Sequence, residues 1–285
     1  MDSTTPDLDA IVDLDRYPLD DPSRPLYRDL VAYCQAELED DGCCSVTGFF
    51  RADAIAAAAG MAQRLASKAH RPAEDSTPYG GEIDTSLAPD HPRRITYRRG
   101  GGFICADLLD DDSHLWTFFR HPRVSEFMMQ AFDTRPLYRY ADPLSSMAIN
   151  TMGQGDEFPW HFDTNELTVS IMLQAPEAGG VFEYFPNLRS PDNEHYERVR
   201  AVFDGAREGV RSLLLNPCDM QLFRGRYTLH RVTAVAGERL RHVALPSWSS
   251  QPNQVGSLHR MIKSYGRALP IHYELAGQSP DRLAH

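Results

Sequence analysis

The sequence is poor in three things, and each scarcity removes a class of reading. No window holds the roughly 18 or more apolar residues that a membrane span requires, and the opening stretch MDSTTPDLDAIVDLDRYPLDD is acidic, with no basic segment leading into an apolar run. The expectation is a soluble cytoplasmic protein with no membrane partner. Basic residues are outnumbered, 29 Lys and Arg against 40 Asp and Glu, and the net charge of −11 repels phosphate backbones. Nucleic acid is therefore not expected as a partner. The five cysteines (34, 43, 44, 105 and 218) are odd in number and lack CxxC spacing, so they fit neither a disulfide framework nor a zinc knuckle. They read as reduced thiols.

At 285 residues the chain is long for one compact domain and short for two large ones. The expectation is one domain over 1–285: a mainly helical part with a long loop over 1–135, a β core over 136–250, and a C-terminal extension over 251–285. Residues 24–39, RPLYRDLVAYCQAELE, place Leu26, Leu30, Tyr33 and Leu38 near one helical stripe. CCSVTGFF reads as a short strand, and the alanine-rich ADAIAAAAGMAQRLASKAH as a second helix starting near Asp53. Proline and glycine among polar residues make 71–102 a long loop ending in PRRITYRRGGG. A third helix fits SHLWTFFRHPRVSEFMMQAF, interrupted near Pro122. From about 136 the texture changes to short, alternating, turn-bounded runs such as SSMAINTM, ELTVSIMLQ and RHVALPSW, the rhythm of an antiparallel barrel or sandwich. Helices first and strands second predict an α+β fold with the helices outside a β core. In the tail, Leu258, Met261 and Ile262 form an apolar face suited to a lid or to a second copy of the chain in a homodimer.

The chemistry concentrates in DEFPWHFDTNELTVSIML, residues 156–173. In extended chain, residues two apart face the same way, so His161 and Asp163 converge while Phe162 turns to the other face. His230, in the later run RGRYTLHRVTAV, is the third candidate. Two imidazoles and one carboxylate make a facial triad, which leaves adjacent positions open on Fe(II). Nine and eleven residues past His230 stand Arg239 and Arg241, either of which suits a two-pronged grip on a dicarboxylate such as 2-oxoglutarate. The spacing favours Arg239, with Arg241, on the same face of one strand, as the alternative.

The ordered set His161-x-Asp163, His230 and Arg239, flanked by GQGDEFPWHFD and LFRGRYTLHRVTAVAGER, resembles the Fe(II)/2-oxoglutarate-dependent dioxygenases. WHFDTNELTVSIMLQ, GGVFEYFPNLRS and LFRGRYTLHRV are similar to the subgroup acting on free amino acids, which contains both hydroxylases and radical halogenases. The resemblance implies a double-stranded β-helix core, jelly-roll or cupin-like, over roughly 136–250. It implies iron held by His161, Asp163 and His230, with 2-oxoglutarate and O2 as co-substrates and succinate and CO2 as products. In the halogenases of that subgroup a small residue replaces the acidic ligand and opens a site for chloride. Asp163 is present here, so hydroxylation is the implied outcome, with desaturation, cyclisation, a carrier-tethered substrate or a non-catalytic metal-binding sensor as alternatives.

For an amino acid substrate, Arg98 in RRITYRRGG is the expected partner of the carboxylate and Asp142 of the ammonium group. Thr164, Asn165 and Trp248 are placed near the metal or the rim, although Trp248 serves equally well as packing. Asn150 is expected to hydrogen-bond 2-oxoglutarate.

Overall fold

A computed structural model describes residues 7–80 and 83–277. The chain forms α1 (Pro25–Asp40), β1 (Cys43–Val46) and α2 (Ala52–Leu65), then a long loop to β2 (Gly102–Ile104), followed by α3 (His114–Arg120) and α4 (Pro122–Ala131). The strand-rich part runs through β3 (Tyr138–Arg139), β4 (Met147–Met152), β5 (Phe158–His161), β6 (Thr168–Gln174), β7 (Ala178–Gly179) and β8 (Phe182–Phe185). After α5 (Tyr196–Phe203) come β9 (Arg211–Leu213), β10 (Met220–Phe223), β11 (Leu229–Val232), β12 (Val235–Ala236), β13 (Arg241–Pro246) and β14 (Trp248–Ser249). Two helices close the described chain, α6 (Leu258–Tyr265) and α7 (Pro270–Leu275).

The fold is α+β with antiparallel sheets. A large sheet has the order β1-β10-β6-β13-β4-β2 and a smaller one β5-β11-β8-β9. Period-two alternation gives the large sheet two chemically different faces. Ile149, Ile171, Leu173, Met220, Leu222 and Ala244 face one way and join a single buried cluster with residues of α1 to α4. Burying each large aliphatic side chain there contributes about 1.5–3 kcal/mol. The opposite parity, including Asn150, Ser170, Gln221 and Arg241, lines a cavity whose other wall comes from β5, β8 and β11.

Two details of this packing differ from the expected pattern. The large sheet is not confined to 136–250: β1 pairs with β10 at one edge and β2 with β4 at the other, so the N-terminal part completes the core. And the buried stripe of α1 is Tyr27, Leu30, Cys34 and Leu38, while Leu26 and Tyr33 are exposed. Steps of three and four residues starting at Tyr27 track the contact line better than those starting at Leu26. The break at Pro122 separates α3 from α4, because proline has no N–H to donate and is accommodated at the first helical position. The His121 Nδ1 accepts the Arg123 amide at 3.2 Å to cap the new helix.

The C-terminal helices are pinned to the sheet by one buried carboxylate. Asp142 accepts the Leu144 and Ser145 amides at 2.8 and 2.9 Å on one oxygen. Its other oxygen accepts the Gly256 amide at 2.8 Å and the His272 Nε2–H at 2.9 Å. The Leu269 amide donates to His272 Nδ1 at 2.8 Å, which fixes the proton on Nε2. Burial opposes ionisation of Asp142, but His272 and the three amides outweigh it and hold its pKa below the ordinary value. The stabilisation is therefore present above about pH 4 and is lost as the pH falls through the depressed pKa of the folded state.

Asp142→Ala strands four buried donors and is expected to destabilise the fold by about 3–5 kcal/mol in equilibrium denaturation, with early proteolysis in 256–277. Asp142→Asn retains an acceptor and is expected to lose less.

Candidate metal centre and cavity

Strand pairing assembles the centre. His161 ends β5 and stands directly opposite His230 in β11, and the two buried imidazoles face one another with ring centroids 4.1 Å apart. Asp163 follows two residues after His161, on the same side. Its amide donates to the Gly225 carbonyl at 3.0 Å, and its Oδ2 accepts the Thr168 hydroxyl at 2.7 Å. That leaves Oδ1 directed at the histidines, 3.7 Å from His161 Nε2 and 3.6 Å from His230 Nε2. One ligand atom from each of the three residues lies within 4.8 Å of the others, and among the described residues this is the cluster of His, Cys, Asp and Glu suited to a metal ion.

The protonation pattern fits a metal. His161 Nδ1 lies 2.8 Å from the Pro159 carbonyl, and His230 Nδ1 lies 2.8 Å from the Thr228 carbonyl. A carbonyl only accepts, so each Nδ1 carries a hydrogen and each Nε2 is turned toward Asp163, the orientation that ligating imidazoles require. His161 Nε2 is buried without a hydrogen-bond partner, a costly arrangement that a cation resolves. Burial, reinforced by the neighbouring His230, pushes the His161 pKa down to about 3. Burial alone would raise the Asp163 carboxyl, but the two imidazoles and Thr168 hold it well below the usual carboxylate range. The donor set at neutral pH is a neutral imidazole at His161 and an anionic carboxylate at Asp163, which suits a divalent ion.

Gly225 makes this position of Asp163 available. A Cβ built there would lie 2.2 Å from Asp163 Oδ2 and 2.8 Å from Thr168 Oγ1.

The triad opens onto a cavity of about 640 Å³, within the range of small-molecule sites. At its inner end Arg241 is 4 % exposed. Its Nε donates to the Gly180 carbonyl at 3.2 Å and Nη1 approaches the Met152 sulfur at 3.9 Å. No carboxylate pairs with it among the described residues, and burial lowers its pKa to about 10, so it stays charged. A buried guanidinium without an anion fits the far carboxylate of a dicarboxylate ligand. Asn150 lines the same cavity and donates to the Gly102 carbonyl at 3.3 Å.

Other sequence-derived positions fall elsewhere. Arg239 is exposed outside the cavity, with Nη2 on the Pro176 carbonyl at 3.0 Å, because β13 starts only at Arg241 and the alternation does not extend back to 239. Arg98 points to solvent and meets Asp75 at 3.4 Å, its side chain 70 % exposed. Its neighbour Arg99 is the inward one. Tyr97 bridges Ser76 in extended pairing, which turns 97 and 99 inward and 98 outward. Asp142, wholly buried behind the cavity wall and fully engaged with backbone and His272, is a structural pin and is not free for an ammonium group. Trp248 packs against Phe119 at 5.0 Å and donates to Ser125, away from the cavity. His242 faces α2, 3.2 Å from Gln63. Thr164 and Asn165 do line the cavity.

Sequence reading also missed Arg99, Arg260 and Lys263 on the cavity wall. The alternation of Tyr97 and Arg99 was a usable signal for the first. The other two depend on where α6 docks, which no local pattern encodes.

A model of the family described as Halogenase D matches residues 91–263. Among solved structures, the chain is similar to the non-heme alpha ketoglutarate dependent epimerase SnoN from nogalamycin biosynthesis, with TM-score 0.51 and 15% identity over 78% of this chain and 83% of that one. It is also similar to AviO1 from Streptomyces viridochromogenes Tue57, with TM-score 0.52 and 17% identity over 78% and 96%. A third is the alpha ketoglutarate dependent carbocyclase SnoK from nogalamycin biosynthesis, with TM-score 0.50 and 16% identity over 78% and 83%. No curated protein matches the sequence. At these identities the likeness is one of fold.

Gly225→Ala is expected to displace the Asp163 carboxylate and weaken divalent metal binding about 10- to 100-fold, read by Mn(II) titration. Unchanged affinity with an intact fold would show that the carboxylate tolerates the displacement.

Proposed function

The chain belongs to the Halogenase D family, and from that premise we propose that it is an Fe(II)- and 2-oxoglutarate-dependent oxygenase hydroxylating an unactivated C–H bond of a free amino acid or similar small polar metabolite. The observation that carries the reading is the carboxylate of Asp163 completing the triad with His161 and His230. In a radical halogenase of the resembling subgroup that position is small, and halide fills the vacated ligand site. Here Asp163 is seated by Thr168 and Gly225, which supports oxygen transfer over chlorination. The two antiparallel sheets enclosing the cavity support the double-stranded β-helix reading of the core.

Each residue then has a defined task. His161, Asp163 and His230 would hold the metal at the wall of the cavity. Arg241 anchors the far carboxylate of 2-oxoglutarate through a two-pronged pair, taking the role that spacing assigned to Arg239, with Asn150 beside it. Phe158, Phe182 and Phe223 wall the centre with rings and keep water from the reacting carbon. Arg99 replaces Arg98 as the group that receives a substrate carboxylate, and Thr164 and Asn165 contribute polar contacts next to Asp163. When bound, iron with 2-oxoglutarate and O2 supplies the oxidising power, and the protein supplies position and exclusion of solvent.

The test is succinate formation by anaerobically Fe(II)-loaded protein given 2-oxoglutarate and O2, screened over amino acids with mass detection of products. A gain of one oxygen, abolished in Asp163→Ala and His230→Ala, is the expected result. Iron and 2-oxoglutarate binding without succinate under any condition would identify a metal-binding sensor instead. A loss of two hydrogens would identify desaturation or ring closure; the solved relatives SnoN and SnoK are an epimerase and a carbocyclase.

The two arginines separate cleanly. Arg241→Leu is expected to weaken 2-oxoglutarate binding about tenfold or more in calorimetric titration, whereas Arg239→Leu leaves it unchanged.

A further inference from the structure

The outer part of the cavity carries more positive charge than the rest of the molecule leads one to expect. The chain has a net charge of −11 and only two lysines, Lys68 and Lys263. Several arginines elsewhere pair with acids: Arg51 with Asp9, Arg64 with Asp110, Arg71 with Asp156, Arg231 with Glu183 and Arg267 with Asp107. On the cavity wall three cations stand together without such a pair. Arg99 has as neighbours the faces of Phe103 and Phe158, 4.8 and 4.9 Å from its guanidinium carbon, and no hydrogen-bond acceptor among the described residues. Arg260 meets only the neutral Asn165 oxygen, at 3.4 Å. Lys263 follows Arg260 by three residues on the same face of α6 and forms no ion pair among the described residues. Arg99 and Arg260 also repel one another.

The acids on the same wall do not balance these charges. They are Asp163, committed to the metal centre, and Glu74, exposed at the rim. Three cations that line one cavity, two of them mutually repulsive and none with a carboxylate, describe a receptor for negative charge. Arg241 is separate, at the inner end, with Asn150 and Gln221. The helix bearing Arg260 and Lys263 is held in place by the Asp142 pin at Gly256 and by Met261 and Tyr265 in the core, so these cations are presented on a fixed element.

We propose that the substrate is a small anion with two acid groups, carboxylate or phosphate, one received between Arg99 and Arg260 and the other by Lys263. This rests on the oxygenase reading of the same site and narrows its substrate class to acidic or phosphorylated amino acids, setting aside lysine- and ornithine-like ones.

The test uses full-length protein with Mn(II) in place of iron and saturating 2-oxoglutarate, so that Arg241 is already occupied. Calorimetric titration then compares L-aspartate, L-glutamate, O-phospho-L-serine and O-phospho-L-threonine with L-leucine, L-lysine and L-ornithine. The expected result is binding by a diacid, with the carboxylate and phosphate arms identifying which acid is preferred. Arg99→Gln, Arg260→Ala and Lys263→Ala should each weaken it about tenfold or more, while Ile262→Ala on the exposed face of α6 leaves it unchanged. Tighter binding of lysine, ornithine or leucine than of every diacid would overturn the proposal. So would diacid binding indifferent to the three cation variants, or no binding by any diacid. Retained 2-oxoglutarate affinity in the same samples shows that such a failure belongs to the substrate class and not to the cofactor reading.

Discussion

Everything at the centre depends on the pairing of β5 with β11, which sets His161 opposite His230. A slip of one residue would turn one imidazole to the far face of the sheet and leave a single histidine beside Asp163. The register is held by contacts on both strands. Trp160 and Leu229, adjacent to the two ligands in sequence, share one apolar cluster on the other side of the sheet. On the inner side, Phe182 and Phe223 pack against the His230 ring at 5.5 and 5.0 Å. Once the strands are in register, the carbonyls of Pro159 and Thr228 orient the two rings by the same device, each two residues before the histidine it serves. The symmetry is a consequence of strand geometry, since residues two apart share a face.

The large sheet solves a different problem, that of placing polar groups inside a protein without losing the core. Alternation sends Ile171, Met220 and Ala244 toward the helices and Ser170, Gln221 and Arg241 toward the cavity, on the same three strands. The helix layer supplies apolar burial, and the cavity side is free to hold groups that a core would not tolerate unpaired. Gly180 contributes to this division. Its left-handed backbone and missing side chain leave space for Arg241, whose Cδ would lie 2.9 Å from a Cβ at that position.

The convergence of His161, Asp163 and His230 was legible because it depends on two short-range rules, the period-two strand and the chemistry of imidazole and carboxylate. The break at Pro122 and the shift from helices to strands were legible for similar reasons. What failed was register at strand ends. The spacing from His230 favoured Arg239 and put it on one strand with Arg241, whereas β12 ends at Ala236 and β13 begins only at Arg241. A one-residue ambiguity separates Arg98 from Arg99. Asp142 misled for another reason: an acid near a strand looks available in sequence, and only the fold shows that Gly256 and His272, more than a hundred residues later, have already claimed it. The cations on α6 were invisible because helix docking is a tertiary event.

Membership of the Halogenase D family and the presence of Asp163 pull in different directions, and the local geometry bears on how firmly that acid is held. Asp163 is seated on three counts: its amide is fixed to Gly225, one oxygen is occupied by Thr168, and the other faces both Nε2 atoms. Removing the acid would leave the Thr168 hydroxyl and the space above Gly225 beside His161 and His230. On the reading proposed above, a single side chain, Asp163, separates hydroxylation from halogenation on this scaffold.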